Sequence, residues 1–491
     1  MNLGALNERT DELLRRVAQQ SLGKATFTAS GATTSLPNFD LEPAAKSLVP
    51  VLTPLRNTTP RVKGDGGNAT NWNAITGLNV TNLSLGISEG KRGGEMQVTT
   101  QALTAPYAVI GMDASVNFEA QEAGEGYDNI EARATLNLLR AVMIGEEKLI
   151  LGGNSTLALG TPAAPAITNS GTGGTIPAGT YQVWVVVLSL EGYLAASISG
   201  GIPLSITRNN LDGSTSVYGG GSSALSAASN ATTTSGSTST ITANVTAKRG
   251  AVAYAWFVGT QAGGAAAAIL NQITTVNQNV VITSLSGGSQ VASSVTADNS
   301  QNALVFDGLL TYAGKPANNS YYKSMDNTPL TSDSAAGITE IDTALQSLYD
   351  NYRLGPNMIL VSSQEARNIN KKVIQNSGAP LVRFTKPADD GNMSVVAGTE
   401  VRAYFNKFTG QILPLLTHPY MPAGTILGIT TELPYPLPDI SNVFRVKTRR
   451  EYYEVRWPVT TRRYDHGVYA TELLQHYAPF SMFLIQNIQN G

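Results

Sequence analysis

Seven basic side chains, Arg445, Lys447, Arg449, Arg450, Arg456, Arg462 and Arg463, crowd one stretch near the C-terminus, set against Glu451 and Glu454. Strand alternation puts Arg445, Lys447 and Arg449 on one face. Cations at this density can pair with the carboxylates of a neighbouring subunit, follow the phosphates of DNA, or stand in water. Across 491 residues, 33 basic and 35 acidic side chains leave a formal net charge of −2. A nucleic-acid binder carries a basic excess over the whole domain, so of the three readings pairing with a neighbour weighs most and DNA least. Lys63, Lys91 and Arg92 belong with the same candidate inter-subunit contacts, because they lie beside the glycine-rich turns Gly64-Asp65-Gly66-Gly67 and Gly90-Lys91-Arg92-Gly93-Gly94. A lysine at such a tip is also an ordinary solvated guard of a strand edge.

Residue types that carry catalysis are scarce. The chain has no cysteine, which excludes disulfides, thiolate metal sites and a cysteine nucleophile. Its three histidines, His418, His466 and His476, have no acidic partner at ligand spacing. Hydrolase elbows, phosphate-binding Gly-Lys-Ser/Thr loops and dinucleotide fingerprints are missing, and Gly90 to Gly94 has no helix after it to receive a phosphate. The adjacent acids Glu146-Glu147 and Asp389-Asp390 read as solvated pairs rather than as acid–base machinery. Asn68-Ala69-Thr70 and Asn79-Val80-Thr81 fit the glycosylation pattern, which is too short to carry weight in a chain rich in Asn, Ser and Thr. The expectation is no catalytic residue, no metal and no cofactor. No apolar run reaches a membrane-spanning length and the N-terminus has no signal-peptide pattern, so a soluble protein made in a cytoplasm is expected.

The elements that must position these residues follow in a definite order. An amphipathic helix over the first twenty residues leads into an arm carrying Pro37, Pro43, Pro50, Pro54 and Pro60, which cannot bury itself. Residues 61–105 read as strand, glycine turns and strand, a polar hairpin with little core of its own. A short strand at Pro106 to Ile110 precedes the strongest helical pattern, from about Tyr127 to Leu151, with Ile130, Ala134, Leu138 and Ala141 on one stripe and Gly152-Gly153 as its stop.

Composition then changes. Between Thr161 and Ser300 only six side chains are charged, Glu191, Arg208, Asp212, Lys248, Arg249 and Asp298. Runs such as Gly179 to Leu188, Ser239 to Val245, Ala251 to Val258 and Asn279 to Thr283 are β-branched and aromatic and bounded by turn residues, which predicts an immunoglobulin-like or fibronectin-like sandwich inserted into a host domain. The Gly/Ser stretch from Gly213 to Thr238 reads as a loop within it. After the insertion a helix entered near Asp333, a strand at Pro356 to Ser363 and a helix from Gln364 to Gln375 mark an α+β region. Strand-like segments at Thr399 to Phe408, Gly424 to Thr431, Val443 to Val459 and Val468 to Ile485 close the chain.

This order resembles the major capsid protein of tailed bacteriophages, with the Hong Kong 97-type fold. The strings that carry the resemblance are Tyr127 to Gly153 with its exit Gly145-Glu146-Glu147-Lys148-Leu149-Ile150-Leu151-Gly152-Gly153-Asn154, and Gly355-Pro356-Asn357-Met358-Ile359-Leu360-Val361-Ser362-Ser363-Gln364-Glu365-Ala366-Arg367. Asn406-Lys407-Phe408-Thr409-Gly410 followed by Pro414-Leu415-Leu416 and Pro419-Tyr420-Met421-Pro422-Ala423-Gly424-Thr425 adds to them. The resemblance implies an α+β fold with an N-terminal arm (1–60), an extended hairpin loop (61–105), a peripheral domain with its spine helix (106–160), the inserted sandwich (161–300), an axial domain (301–425) and return strands of the peripheral domain (426–491). It implies a non-enzymatic structural protein of the virion, assembled in the host cytoplasm into pentamers and hexamers around double-stranded DNA, which it touches without sequence preference. Portal and scaffolding proteins are its implied partners, with a decoration protein as a further candidate; no membrane is involved. Some members crosslink a hairpin lysine to a neighbour's asparagine; Lys63 and Lys91 are in place, but no asparagine or acid can be named for them, and no crosslink is expected. The competing expectation is a surface or tail-associated adhesin whose sandwich binds a receptor or glycan.

Overall fold

The computed structural model describes residues 52–64, 66–75, 77, 86–93, 100–124, 129–210, 212–334, 337–376, 401–434 and 442–489. The expected first helix, most of the arm and Asp389-Asp390 lie outside these residues. The architecture is α+β, as its sequence periods imply.

The long helix spans Ile130–Gly152, with Asn129 as its N-cap accepting a hydrogen bond from the Ala132 N–H at 3.0 Å. At 1.5 Å per residue it is a rod of roughly 35 Å. It lies on a four-stranded sheet ordered Arg61–Lys63, Phe444–Arg456, Arg463–His476, Ala108–Asn117. The first pair of that order is parallel and the others antiparallel. Val142 of the helix packs on Ile110 and Ala470 of the sheet. The two positions have room only for glycine: a Cβ on Gly152 would stand 2.5 Å from a Leu190 methyl, and one on Gly153 would stand 2.3 Å from the Phe306 carbonyl oxygen. The residues read as a stop signal are therefore also points of close approach to the rest of the fold.

A six-stranded sheet forms the second layer, ordered Tyr321–Thr328, Phe483–Ile488, Ile426–Ile429, Met358–Val361, Ile412–Thr417, Ala403–Phe405. Its strands alternate as a sheet buried on both faces must. Leu360, Leu427 and Leu484 join the core shared with the long helix, whereas Ile359, Val361, Ile426, Phe483 and Ile485 join Ile341, Leu345 and Leu348 of the helix Thr339–Tyr352. The helix Ser363–Asn376 follows the Met358–Val361 strand. The C-terminal strands thus divide between both sheets: Phe444–Arg456 and Arg463–His476 in one, Ile426–Ile429 and Phe483–Ile488 in the other.

The polar hairpin pairs Ala69–Ile75 with Thr100–Pro106 antiparallel. Its first strand alternates, with Thr70, Trp72 and Ala74 buried, and Trp72 donates its indole N–H to the His476 carbonyl at 3.1 Å. Its second strand leaves Thr100, Gln101, Ala102, Thr104 and Pro106 exposed.

The low-charge segment is a two-layer sandwich. One sheet is ordered Val280–Ile282, Thr240–Asn244, Ala166–Ser170, and the other Ile269–Thr274, Ala253–Thr260, Gly179–Leu188, Thr232–Thr234. Val183, Val185 and Val187 with Tyr254, Trp256 and Val258 face Ile241, Ala243, Val280 and Ile282 across the gap. Trp184, Val186 and Leu188 with Ala255 and Phe257 cover the outer face with Leu270, Ala292 and Val295.

The Gly/Ser stretch read as a loop is more ordered than that. It contains the strands Thr215–Gly219 and Thr232–Thr234, and between them Ser223, Ser226 and Ser229 line the edge of Gly179–Leu188 beyond its pairing with Thr232–Thr234. Their hydroxyl oxygens accept from the N–H groups of Val187, Val185 and Val183 at 3.0, 2.9 and 2.9 Å, and their own N–H groups donate to the carbonyls of the same valines. A three-residue repeat is thus matched to a two-residue strand period, with a side-chain oxygen standing where a backbone carbonyl would be.

The chain enters and leaves the sandwich at a tied neck. The Asn154 amide donates to the Ser300 carbonyl at 2.9 Å and the Asn302 N–H to the Asn154 carbonyl at 2.8 Å. Buried Asp307 accepts from the N–H and hydroxyl groups of Ser155 and Thr156 and pairs with Lys315 at 2.6 Å. These donors and the ammonium outweigh its burial and hold the carboxyl below its ordinary range.

Candidate functional site

Where both sheets, the long helix and residues 53–63 meet, the fold buries an ionic junction. Leu138, Val142, Glu146 and Ile150 recur at intervals of four, so Glu146 sits on the stripe the helix turns inward, and Glu147 stands beside it. Both are fully buried. The expectation that this pair is solvated fails, and the reason is that every neighbouring element brings it a donor.

Glu147 caps a helix 91 and 92 residues away in sequence. The short helix Pro54–Thr58 has no side-chain cap of its own, and the Leu55 and Arg56 N–H groups donate to the two Glu147 oxygens at 2.9 and 2.7 Å. A carboxylate there satisfies orphan donors and meets the positive end of the helix dipole. His418, also fully buried, stands 2.6 Å from the same carboxylate through Nε2. The Tyr420 N–H donates to His418 Nδ1 at 3.2 Å, so Nε2 carries the proton and donates to Glu147. The sequence reading gave His418 no acidic partner; its partner is 271 residues away and invisible to spacing.

Glu146 accepts from Arg56 Nε at 2.8 Å, pairs with Arg61 and accepts from the Tyr452 hydroxyl. Arg61 reaches on to Glu472 at 3.0 Å, and both guanidinium groups lie over the Tyr452 ring, 5.2 and 5.8 Å from its centroid. Burial raises the Glu472 carboxyl above its ordinary value, with Arg61 opposing. Removing one partner from such a buried set costs on the order of 3–5 kcal/mol, because the remaining charge stays desolvated. The arrangement leaves the two helix carboxylates engaged on all sides, so what it does chemically is hold. It fixes residues 53–63, the end of the expected arm and the start of the expected hairpin, to the helix, to both long strands and to the loop after Ile412–Thr417.

The ten basic candidates separate into three groups. Arg445, Lys447 and Arg449 do share a face, over the base of the hairpin: Arg445 donates to Gln475 at 3.1 Å and lies over the Tyr477 ring, Lys447 donates to Thr70 at 3.2 Å, and Arg449 donates to Asn68 at 2.9 Å. Bulges after Thr448 and Arg450 break the alternation. Arg450 then covers the Tyr453 ring at 3.6 Å, Arg456 pairs with Glu131 and Glu454, Arg462 with Glu119 and Arg463 with Asp465, all near the sheet's far end. Lys63 is exposed at the sheet's edge, and Lys91 and Arg92 are exposed in the 86–93 turn of the hairpin.

His466 and His476 are buried with neither ring nitrogen hydrogen-bonded among the described residues. Burial lowers His476 to about 3, so it stays neutral. Buried Glu365 moves the other way, raised to about 7 by burial, with bonds from Asn368 and the Gly424 backbone opposing. Among the described residues no three His, Asp or Glu side chains gather as a metal site, and no helix is long and apolar enough to cross a membrane.

No family model matches the chain, and no curated protein matches it. Solved structures to which it is similar include phage capsids and an encapsulin complex. The cyanophage A-1(L) capsid overlaps at a TM-score of 0.44 and 11% identity, covering 93% of this chain and 98% of that one. The capsid of a native GTA particle overlaps at 0.41 and 8%, covering 94% and 100%. The phage G major capsid protein, solved with its decoration protein, overlaps at 0.39 and 7%, covering 94% and 100%. At TM-scores below 0.5 these likenesses carry no argument by themselves.

Proposed function

We propose that the chain is a non-enzymatic structural subunit of a phage head, a major capsid protein of the Hong Kong 97-type fold. Copies associate as pentamers and hexamers into an icosahedral shell around double-stranded DNA, in the virion, after assembly in the host cytoplasm with portal and scaffolding proteins. Residues 61–105 act as the extended loop, 106–160 with the four-stranded sheet as the peripheral domain, and the six-stranded sheet as the axial domain. Residues 161–300 act as an immunoglobulin-like domain projecting from the outer surface.

The observation that carries this reading is the hairpin. Its backbone is paired and its base is anchored by Trp72, yet its second strand is largely exposed and Lys91 and Arg92 stand in its turn. A two-stranded ribbon without a core is marginal alone and gains stability by lying on another surface. Repeated over many copies, such weak contacts sum to a stable cage. The basic residues at the exposed end of the long strands, Arg456, Arg462 and Arg463, are the inter-subunit contacts of the same reading.

Electron microscopy of the purified protein with and without a scaffold, together with sedimentation, tests it. Closed shells or uniform pentamers and hexamers are expected. Persistent monomers under both conditions overturn the proposal, and a small oligomer that binds cells or glycans replaces it with the adhesin.

A further inference from the structure

A cavity of roughly 590 Å³ opens between the edge strand Ala108–Asn117, the long helix, and the sandwich's short helix Leu190–Ala195 and hairpin Ser205–Asn209/Thr215–Gly219. Binding sites for small ligands have this size, and they combine apolar walls with a few fixed polar groups. Val109 and Met112 of the strand, Val142 and Leu149 of the helix, and Leu190 and Leu194 of the short helix give the walls. Val109, Met112 and Leu194 remain 60, 45 and 41% exposed, so the rim is apolar as well.

One acid stands in this setting without a cation. Glu191 receives the Asn302 amide on both oxygens, at 3.0 and 3.1 Å, and among the described residues it has no ion pair. Burial raises its carboxyl above the ordinary value, with the Asn302 bond opposing. Neither cation at the walls pairs with it: Lys148 lies over the Tyr420 ring at 4.8 Å and Arg208 donates to the Gly111 carbonyl at 3.3 Å, while Glu146 belongs to the ionic junction. A carboxylate held by a neutral amide at an apolar cavity lacks its counter-charge, and the group that fits carries a positive head on a methylene chain.

We propose that the cavity binds an aliphatic ammonium, its head on the Glu191 carboxylate and its methylenes along the apolar walls. The same chemistry comes either as a free alkyl diamine or as a lysine side chain of another protein. The inference does not depend on the capsid reading.

Calorimetric titration of the full-length protein with 1,5-diaminopentane, with a capped Ala-Lys-Ala peptide and with 1,5-pentanediol tests it. At least one of the two amines is expected to bind with millimolar affinity or better while the diol does not; which amine binds more tightly identifies the source. Glu191→Gln should weaken that binding at least tenfold. Ala141→Leu, which narrows the cavity from the helix, should weaken it as well. Failure of both amines to bind, equal binding of the diol, or unchanged binding to a folded Glu191→Gln or Ala141→Leu protein overturns the proposal.

Discussion

Buried titratable groups with opposite shifts make the stability of this protein an unusual function of pH. His476 is held near 3 while an unfolded histidine titrates near 6.5, so the unfolded chain binds the extra proton between those values and this residue withdraws stability as pH falls below about 6.5. Glu365 is raised to about 7 from an ordinary value of 4.5, so the folded chain binds the extra proton. Its burial therefore withdraws stability as pH rises from about 4.5 to 7. Between pH 4.5 and 6.5 the two slopes oppose one another. Glu365→Gln removes one of them, and the variant should be more stable than the parent at pH 8, by about 3 kcal/mol at one pKa unit per 1.36 kcal/mol, and nearly equal to it at pH 4.5. Urea unfolding of both proteins at the two pH values measures this. An equal offset at pH 4.5 and 8 would assign the effect to packing rather than to ionisation.

Among the elements, the serine-lined edge has the clearest energetic consequence. Each of Ser223, Ser226 and Ser229 supplies the acceptor for one buried valine N–H, so Ser→Ala at any of them strands a donor and should cost about 1–3 kcal/mol. Hydrogen exchange at Val183, Val185 and Val187 reports it, with only the amide facing the altered serine expected to accelerate locally; exchange unchanged at all three would mean another acceptor serves them. This ladder was not legible in the sequence because a three-residue Ser repeat matches neither the helical nor the strand period. The helix Ile130–Gly152 and the strand Gly179–Leu188 were legible, since each fills its own periodic template. The strand Ile412–Thr417 was not: it joins Met358–Val361 in parallel over a long crossover, and its two prolines' worth of turn signal around Pro414 and Pro419 masks it. The junction was half legible. Glu146 at intervals of four from Val142 and Ile150 marks an acid on an apolar stripe, but Arg61, His418 and Glu472 reach it only through tertiary pairing.

For the whole molecule the question is whether the sandwich is a tethered module or part of what holds the host together. The tied neck favours a module, because Leu159 and Gly160 bond Ser300 and Asp298 at 2.9 and 2.7 Å and a short linker could join them. The core argues otherwise. Leu190 and Val252 belong to the same buried cluster as Phe306, Leu309, Leu360 and Leu474, and each such side chain contributes about 1.5–3 kcal/mol by its burial. Arg249 shares the two hydrogens of Nη2 among the Ala313 and Ser320 carbonyls and the Ser320 hydroxyl, and Asn277 donates to Asp326, with about 1 kcal/mol net for each hydrogen so engaged. These sums approach the whole stability of a typical domain, about 5–15 kcal/mol. Replacing residues 161–297 with a four-residue Gly-Ser linker should therefore lower the urea midpoint sharply, and should leave apolar surface around Phe306 and Leu309 that binds a hydrophobic dye. An excised chain with an unchanged midpoint would make the sandwich a passenger held only at its neck. The expected loss makes it a structural member, so a chain built this way cannot exchange residues 161–297 freely without a compensating change at Phe306, Leu309 or Ser320.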